Sequence, residues 1–278
     1  MTFTWSPTET PPEIKITRLG WVLIVLRGVP LLAVLIGGVV LMGLLRLIER
    51  PRHGLARPWT PAITVMVCRL ALRILGLRHQ VEGKIMGQSG ALVANHSSWL
   101  DIFVLNAATQ LYFVSKAEVA GWPGIGLLDR ITGTLFIARD RTQARAQQEL
   151  FEARLKEGHR LLFFPEGTST DNFRVLPFKS TLFEAFFTKE LRETLYIQPL
   201  SVVYTAPGGQ DPRFYGWWGD MEFGPHALAL LATPRGGSVR IVCHPPVPVR
   251  DMPDRKSLAA KTEAAVRHGM PHARQTDH

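Results

Sequence analysis

Cysteine is scarce in this chain: two residues, Cys68 and Cys243, among 278. A disulfide scaffold is thereby excluded, and Cys68, set in an apolar run, reads as a small core residue. Acidic residues are outnumbered, Asp+Glu 23 against Lys+Arg 32, which leaves a formal net charge of +9. Only 20% of residues are charged while 46% are hydrophobic, too apolar a balance for a disordered chain. Long apolar runs are few, which excludes a transporter of many spans. No internal repeat and no low-complexity segment is present. What remains is a basic, mostly globular chain, long enough for one large domain with a small appendage. Its partners by charge are anionic: a membrane surface, phosphorylated substrates, an acidic carrier or nucleic acid. The basic residues are scattered and match no nucleic-acid module, so nucleic acid is not expected.

The longest apolar run is Gly28 to Leu45, 18 residues without a charge. That reaches the length of a membrane helix, roughly 27 Å at 1.5 Å per residue. Trp21 to Leu26 extends it upstream, interrupted by Arg27, which could snorkel to headgroups. The run begins late and lacks a small-residue cleavage site, so a signal peptide fits poorly. Lys15 and Arg18 precede it; Arg46, Arg50, Arg52 and Arg57 follow, which favours a body on the cytoplasmic side. A helix buried in a soluble core is the competing reading. Pro61 to Leu77 is a second apolar stretch, with Arg69 and Arg73 four apart on one helical face. It reads as an amphipathic helix at an interface or as an ordinary core-packing helix. The expected organisation is a tail over 1–19, a hydrophobic helical anchor over 20–78, an α/β domain over 79–250 and a polar C-terminal tail over 251–278.

Beyond residue 80 short apolar strands alternate with helical runs. Ala91–Ala94, Tyr112–Ser115, Leu135–Ala138, Leu161–Phe164, Ile197–Tyr204 and Val239–Cys243 read as strands. Trp99–Ala108, Thr142–Lys156 and part of Leu176–Leu191 read as helices. This alternation predicts an α/β fold, a mixed sheet flanked by helices.

Three segments carry chemistry. The first is Asn95-His96-Ser97-Ser98-Trp99-Leu100-Asp101. Five helical positions turn about 500°, so His96 and Asp101 meet only if His96 lies in a strand-to-helix turn and Asp101 in the helix's first turn. A carboxylate there fixes the imidazole tautomer and leaves the other nitrogen as a base. Ser98 to Asp101 also fits a capping box, in which the acid merely satisfies backbone N–H groups. The second is Phe163-Phe164-Pro165-Glu166-Gly167-Thr168, an acid and a glycine directly after a buried strand, where α/β proteins place ligand sites; a plain turn fits as well. The third is Gly133 to Arg139, a strand that delivers an arginine suited to phosphate capture, or else a solvated basic helix start.

Taken in order, these segments resemble the glycerolipid acyltransferase family that includes 1-acyl-sn-glycerol-3-phosphate acyltransferases. His-x4-Asp is His96 to Asp101, the second block is Gly133 to Arg139, Phe-Pro-Glu-Gly-Thr is Phe164 to Thr168, and the proline entering an apolar strand is Pro199-Leu200-Ser201-Val202-Val203-Tyr204. Lys116 with Trp122-Pro123-Gly124 is similar to the stretch between the first two blocks. The resemblance covers about residues 80 to 220, and four ordered blocks are specific where each alone is not. One departure stands out: many members that use lysophosphatidic acid carry arginine after Glu-Gly-Thr, and here Ser169 follows, with Asp171 two further on. Thr168 to Asp171, Val175 to Ser180 and Trp217 to Met221 are similar to the bacterial branch of lyso-ornithine lipid acyltransferases. Arg174 and Lys179 are possible substitute cations.

The resemblance implies transfer of an acyl group from an acyl thioester, acyl-CoA or acyl carrier protein, to the free hydroxyl of a lysolipid such as 1-acyl-sn-glycerol-3-phosphate, with lyso-ornithine lipid as the alternative acceptor. A hydroxyl needs a base within hydrogen-bond reach. That base would be His96, oriented by Asp101. Glu166, Gly167 and Thr168 would position the acceptor, Arg139 would bind a phosphate, Asn95 and Lys116 would line the site, and backbone amides near Gly167 would face the oxyanion. Neither a metal nor a resident cofactor is required, and His268 and His272 lack a third ligand nearby. A serine hydrolase would want a Gly-x-Ser-x-Gly elbow, which is absent. A non-enzymatic membrane-surface lipid-binding protein explains charge and anchor but not the ordered motifs.

Overall fold

Two helices come before any strand. The computed structural model describes residue 5 and residues 15–54, 56–116, 132–137 and 144–271. Helix α1 (Arg18–His53) has 36 residues, about 54 Å. Thr17 starts it, its hydroxyl accepting from the Gly20 N–H at 3.0 Å. The most apolar 18-residue window of α1 is 11% buried, and Val25, Leu32, Ile36, Val40 and Leu47 are exposed. A core helix would be covered; this one is a candidate membrane anchor.

Helix α2 (Thr60–Ile74) folds back on α1. A Cβ on Gly38 would lie 2.5 Å from Val67 Cγ2, so the glycine permits the close approach. Glu49 staples the turn between the helices, accepting from Trp59 N–H (2.8 Å), Thr60 N–H (3.1 Å) and the Thr60 hydroxyl (2.7 Å). Ile63, Val67, Cys68, Ala71 and Leu72 form the buried face of α2, while Arg69 and Arg73 stay exposed. The helix is thus amphipathic and core-packing at once, wedged between α1 and the body.

The sheet is mixed. Its strands are β1 (Arg78–Glu82), β2 (Gly90–Ala94), β3 (Tyr112–Lys116), β4 (Leu135–Ile137), β5 (Leu161–Phe163), β6 (Tyr196–Thr205), β7 (Ser238–Cys243) and β8 (Val247–Pro248). The order is β1-β7-β6-β2-β5-β3-β4, with β8 beside β6. The pairs β1–β7, β6–β2, β2–β5, β5–β3 and β3–β4 are parallel, and β7 and β8 run antiparallel to β6. Strand β2, Gly-Ala-Leu-Val-Ala, is buried throughout, as a central parallel strand with helices on both faces must be. Leu92 and Ala94 point into one core with α2, α3 (Asp101–Ala108) and α6 (Phe223–Ala232). Ala91 and Val93 point into the other, with α4 (Ala144–Lys156), a 3₁₀ helix (Ser180–Phe187) and α7 (Arg255–Gly269); α5 (Lys189–Arg192) follows the 3₁₀ turn.

Arg27 does not snorkel outward. It caps α6, donating to the carbonyls of Leu231 (3.3 Å), Thr233 (2.6 Å) and Pro234 (3.0 Å), which satisfies a helix C-terminus and offsets the arginine's burial. Within the polar stretch 251–278, the helix expected over Lys256–Arg267 forms and packs on the body as α7 (Arg255–Gly269). There α7 buries Leu258, Ala259, Thr262 and Val266 against the sheet, and Asp254 caps it by accepting from Ser257 N–H at 2.8 Å. Strand β1 carries a mostly exposed edge pattern, which the apolar periodicity did not disclose.

Candidate active site

The site lies where three parallel strands end. β2 stops at Ala94, the chain turns through His96, and α3 begins at Asp101. The imidazole and carboxylate meet as the spacing required: His96 Nδ1–H donates to Asp101 Oδ2 at 2.7 Å. The same oxygen accepts from Ser97 N–H (2.8 Å) and Ser98 N–H (3.0 Å). The capping role and the orienting role therefore coexist in one carboxylate. The His96 ring is stacked on Phe164, centroids 4.1 Å apart and planes at 11°, and its side chain is 21% exposed. With Nδ1 committed to Asp101, Nε2 carries the lone pair, and it has no hydrogen-bond partner among the described residues.

Glu166 holds the turn from below. It is 1% exposed; Oε1 accepts from His96 N–H and Oε2 from Leu176 N–H, each at 2.7 Å. Burial, offset by these two bonds and reinforced by nearby Asp101, pushes its carboxyl up to about 8. At 1% exposure little of this carboxyl is open to an acceptor head group, which would have to reach the lone pairs these two bonds leave. Thr170 clamps the turn from the other side, its N–H donating to the His96 carbonyl at 2.9 Å.

The other expected residues divide. Asn95 does not line the site. It is fully buried, its amide spent on Val202 N–H (2.7 Å) and Val202 carbonyl (2.9 Å). Gly167 has φ +72°, and a Cβ there would lie 2.7 Å from Lys179 Nζ, so glycine is required and Lys179 is placed beside the loop. The Gly167 N–H donates to the Phe164 carbonyl at 3.1 Å, so this amide is occupied by the turn rather than turned toward an oxyanion. The Thr168 hydroxyl accepts from Trp5 N–H at 3.3 Å. Arg174 pairs with Asp171 at 3.6 Å and lies 5.0 Å from the Trp5 ring. Lys116 closes β3; Arg139 lies outside the described residues. Among the described residues no His/Cys/Asp/Glu cluster could hold a metal.

Phe164 and Tyr204 escaped sequence reasoning as site residues, though both fall within quoted motifs. Phe164 supplies the stacking face, and the Tyr204 hydroxyl donates to Asp101 Oδ1 at 2.6 Å. Ile102 and Phe103, which follow Asp101 along α3, help line a narrow apolar chamber of about 50 Å³ whose other walls include Gly38, Met42, Val67 and Phe113. Phe113 stacks on Phe164 at 5.9 Å, so aromatic rings connect the chamber to the imidazole.

A His–Asp pair at the end of a central parallel strand is an arrangement suited to general-base catalysis. The family model described as Acyltransferase matches residues 78–203, and the chain belongs to that family. A lyso-ornithine lipid O-acyltransferase of Rhodobacter capsulatus is 57% identical over 266 residues, 96% of either chain. Another of that name, from Brucella abortus, is 35% identical over 75% of this chain and 82% of its own. A 1-acyl-sn-glycerol-3-phosphate acyltransferase of Neisseria gonorrhoeae is 37% identical over 35% of this chain and 39% of its own. The crystal structure of the 1-acyl-sn-glycerophosphate acyltransferase of Thermotoga maritima shares the fold, with a TM-score of 0.56 at 19% identity over 88% of this chain and 96% of that one. The non-enzymatic reading is thereby set aside.

Proposed function

We propose that this protein is a lyso-ornithine lipid O-acyltransferase working at a membrane surface. His96 Nε2 takes the proton from the lysolipid hydroxyl as its oxygen attacks the thioester carbonyl. The tetrahedral intermediate collapses, the C–S bond breaks, and the thiol leaves with the proton that the imidazolium returns; an ester remains on the lipid. Asp101 holds the ring and stabilises its positive charge. The observation that carries the reading is the His96–Asp101 bond with Nε2 left available. The acceptor assignment is supported by the 57% identity along nearly the whole chain and by Ser169, which stands where a phosphate-binding arginine would serve lysophosphatidic acid. The anchor meets a lipid acceptor without extracting it, and the net charge of +9 suits an acyl-CoA or an acidic carrier protein as donor and a cytoplasmic-facing position at an inner membrane.

The test supplies lyso-ornithine lipid and 1-acyl-sn-glycerol-3-phosphate in parallel to purified enzyme, with acyl-CoA and acyl carrier protein as donors. A kcat/KM at least about tenfold higher for lyso-ornithine lipid, one discriminating contact by magnitude, is expected; the reverse order would return the acceptor to lysophosphatidic acid. The narrow apolar chamber lined by Ile102 and Phe103 marks where an acyl chain would begin its path toward α1. Val39 lines it, so Val39→Phe should shift preference toward shorter acyl chains, as kcat/KM across a chain-length series would register.

A further inference from the structure

We propose that Tyr204 is a positioning residue for acyl transfer, setting the plane of the Asp101 carboxylate from strand β6, on the face of the sheet that packs against α3. This rests on His96 acting as the base. Tyr204 lies on β6 beyond Leu200, which pairs with Ala94 at the end of β2. Past that point the edge of β6 that faced β2 has lost its neighbour. Two asparagines stand in for it. Asn95 bonds both the N–H and the carbonyl of Val202, and Asn172 does the same for Tyr204, at 3.2 and 3.0 Å. Asn172 adopts φ +69° to do so, a left-handed conformation that asparagine tolerates better than most side chains. The Tyr204 backbone is thereby fixed on the loop that also carries Glu166 and Thr170.

From that position the fully buried Tyr204 ring, 5.5 Å from the Tyr215 ring, directs its hydroxyl at Asp101 Oδ1. The two carboxylate oxygens divide their work. Oδ2 takes His96 Nδ1–H, Ser97 N–H and Ser98 N–H; Oδ1 takes the phenol. An aspartate held at one oxygen can pivot about its terminal torsion, which is broad. Held at both, it presents Oδ2 in one plane, and that plane aims the imidazole. Burial and the facing carboxylate push the phenol well above its usual range, so it stays a donor. The ionisable groups around this centre are His96 from the turn, Asp101 at the start of α3, Tyr204 from β6, Tyr215 beside the Tyr204 ring and Glu166 from the loop after β5, with Arg267 of α7 acting on Glu166.

Tyr204→Phe in the full-length protein is the test, with Tyr215→Phe as control. Tyr215 accepts from Gly237 N–H and does not touch Asp101. Loss of one hydrogen bond to a charged group should lower kcat by about 10- to 100-fold, with the KM for lysolipid and thioester within about twofold. The acid limb of the kcat/KM–pH profile should move to higher pH, because a carboxylate relieved of its phenol donor holds the imidazolium proton more tightly. Tyr215→Phe should keep the wild-type profile. Turnover within about twofold of wild type, or a loss accompanied by a lower Tm and an unmoved profile, overturns the proposal. Should Tyr204→Phe not accumulate as folded protein, Asn172→Gly, which keeps the positive φ and frees Tyr204, is read in the same way. Failure of His96→Ala to abolish turnover would instead remove the base itself, a separable outcome.

Discussion

His96→Ala is expected to lower acyl transfer by about 10²- to 10⁴-fold while the protein remains in the membrane fraction. The ring is the only part of His96 that changes. Its N–H still donates to Glu166 and its carbonyl still accepts from Thr170, so the turn keeps its backbone bonds. What is lost structurally is the stack on Phe164, worth about 1 kcal/mol, and the Nδ1 bond to Asp101. Asp101 keeps Ser97 N–H, Ser98 N–H and the Tyr204 hydroxyl, so it is not left as a bare buried charge. Helix α1, the candidate anchor, is untouched. Labelled acyl transfer at saturating substrates, together with sedimentation of membranes, separates the two effects. Turnover within tenfold of wild type would exclude the imidazole as base, and a protein that left the membrane would show that the change had disturbed more than chemistry.

The His96–Asp101 pair was legible because helical geometry allowed only one way for residues five apart to meet. The strands of the central sheet were legible because two-sided burial leaves uninterrupted apolar runs, as in Gly90–Ala94. Other features depend on partners far along the chain. Asn95 sits beside His96 in the motif that carries the His–Asp pair, yet its work is to complete a strand edge at Val202, 107 residues away. Tyr204 ends an apolar strand and reads as core; only the fold brings it within 2.6 Å of Asp101. α7 read as polar because its buried stripe is built from Ala259 and Thr262 as well as Leu258 and Val266. Thr262 is hidden at no cost in unmet hydrogen bonds, its hydroxyl donating to the Leu258 carbonyl at 2.9 Å. Arg27 read as an interruption of a membrane run because the helix end that it caps lies more than 200 residues downstream.

Glu166→Gln should reduce kcat by about 10-fold, the cost of leaving one buried backbone donor without its acceptor, and leave acceptor KM nearly unchanged. Both Glu166 oxygens accept from backbone N–H groups. A glutamine supplies one oxygen; its nitrogen must then face either His96 N–H or Leu176 N–H, donor against donor. The turn that presents the imidazole would loosen. The opposite result, a raised acceptor KM at unchanged kcat, is what a head-group contact would give, and it would displace this account of Glu166. A second measurement is independent of turnover. Burial raises this carboxyl from 4.5 to about 8 in the folded protein, whereas the unfolded chain releases the proton near 4.5. The folded state therefore holds an extra proton between those values, and by linkage its stability falls as pH rises through that window. The stabilisation is fully present below about 4.5, is lost progressively toward pH 8 and changes no further above it. Glutamine carries no titrating proton, so the variant should lack this component of the slope. Unfolding of the detergent-solubilised protein at pH 5, 7 and 9 should show wild type losing ground to Glu166→Gln across the first interval; parallel curves would mean that Glu166 is already ionised in its buried site.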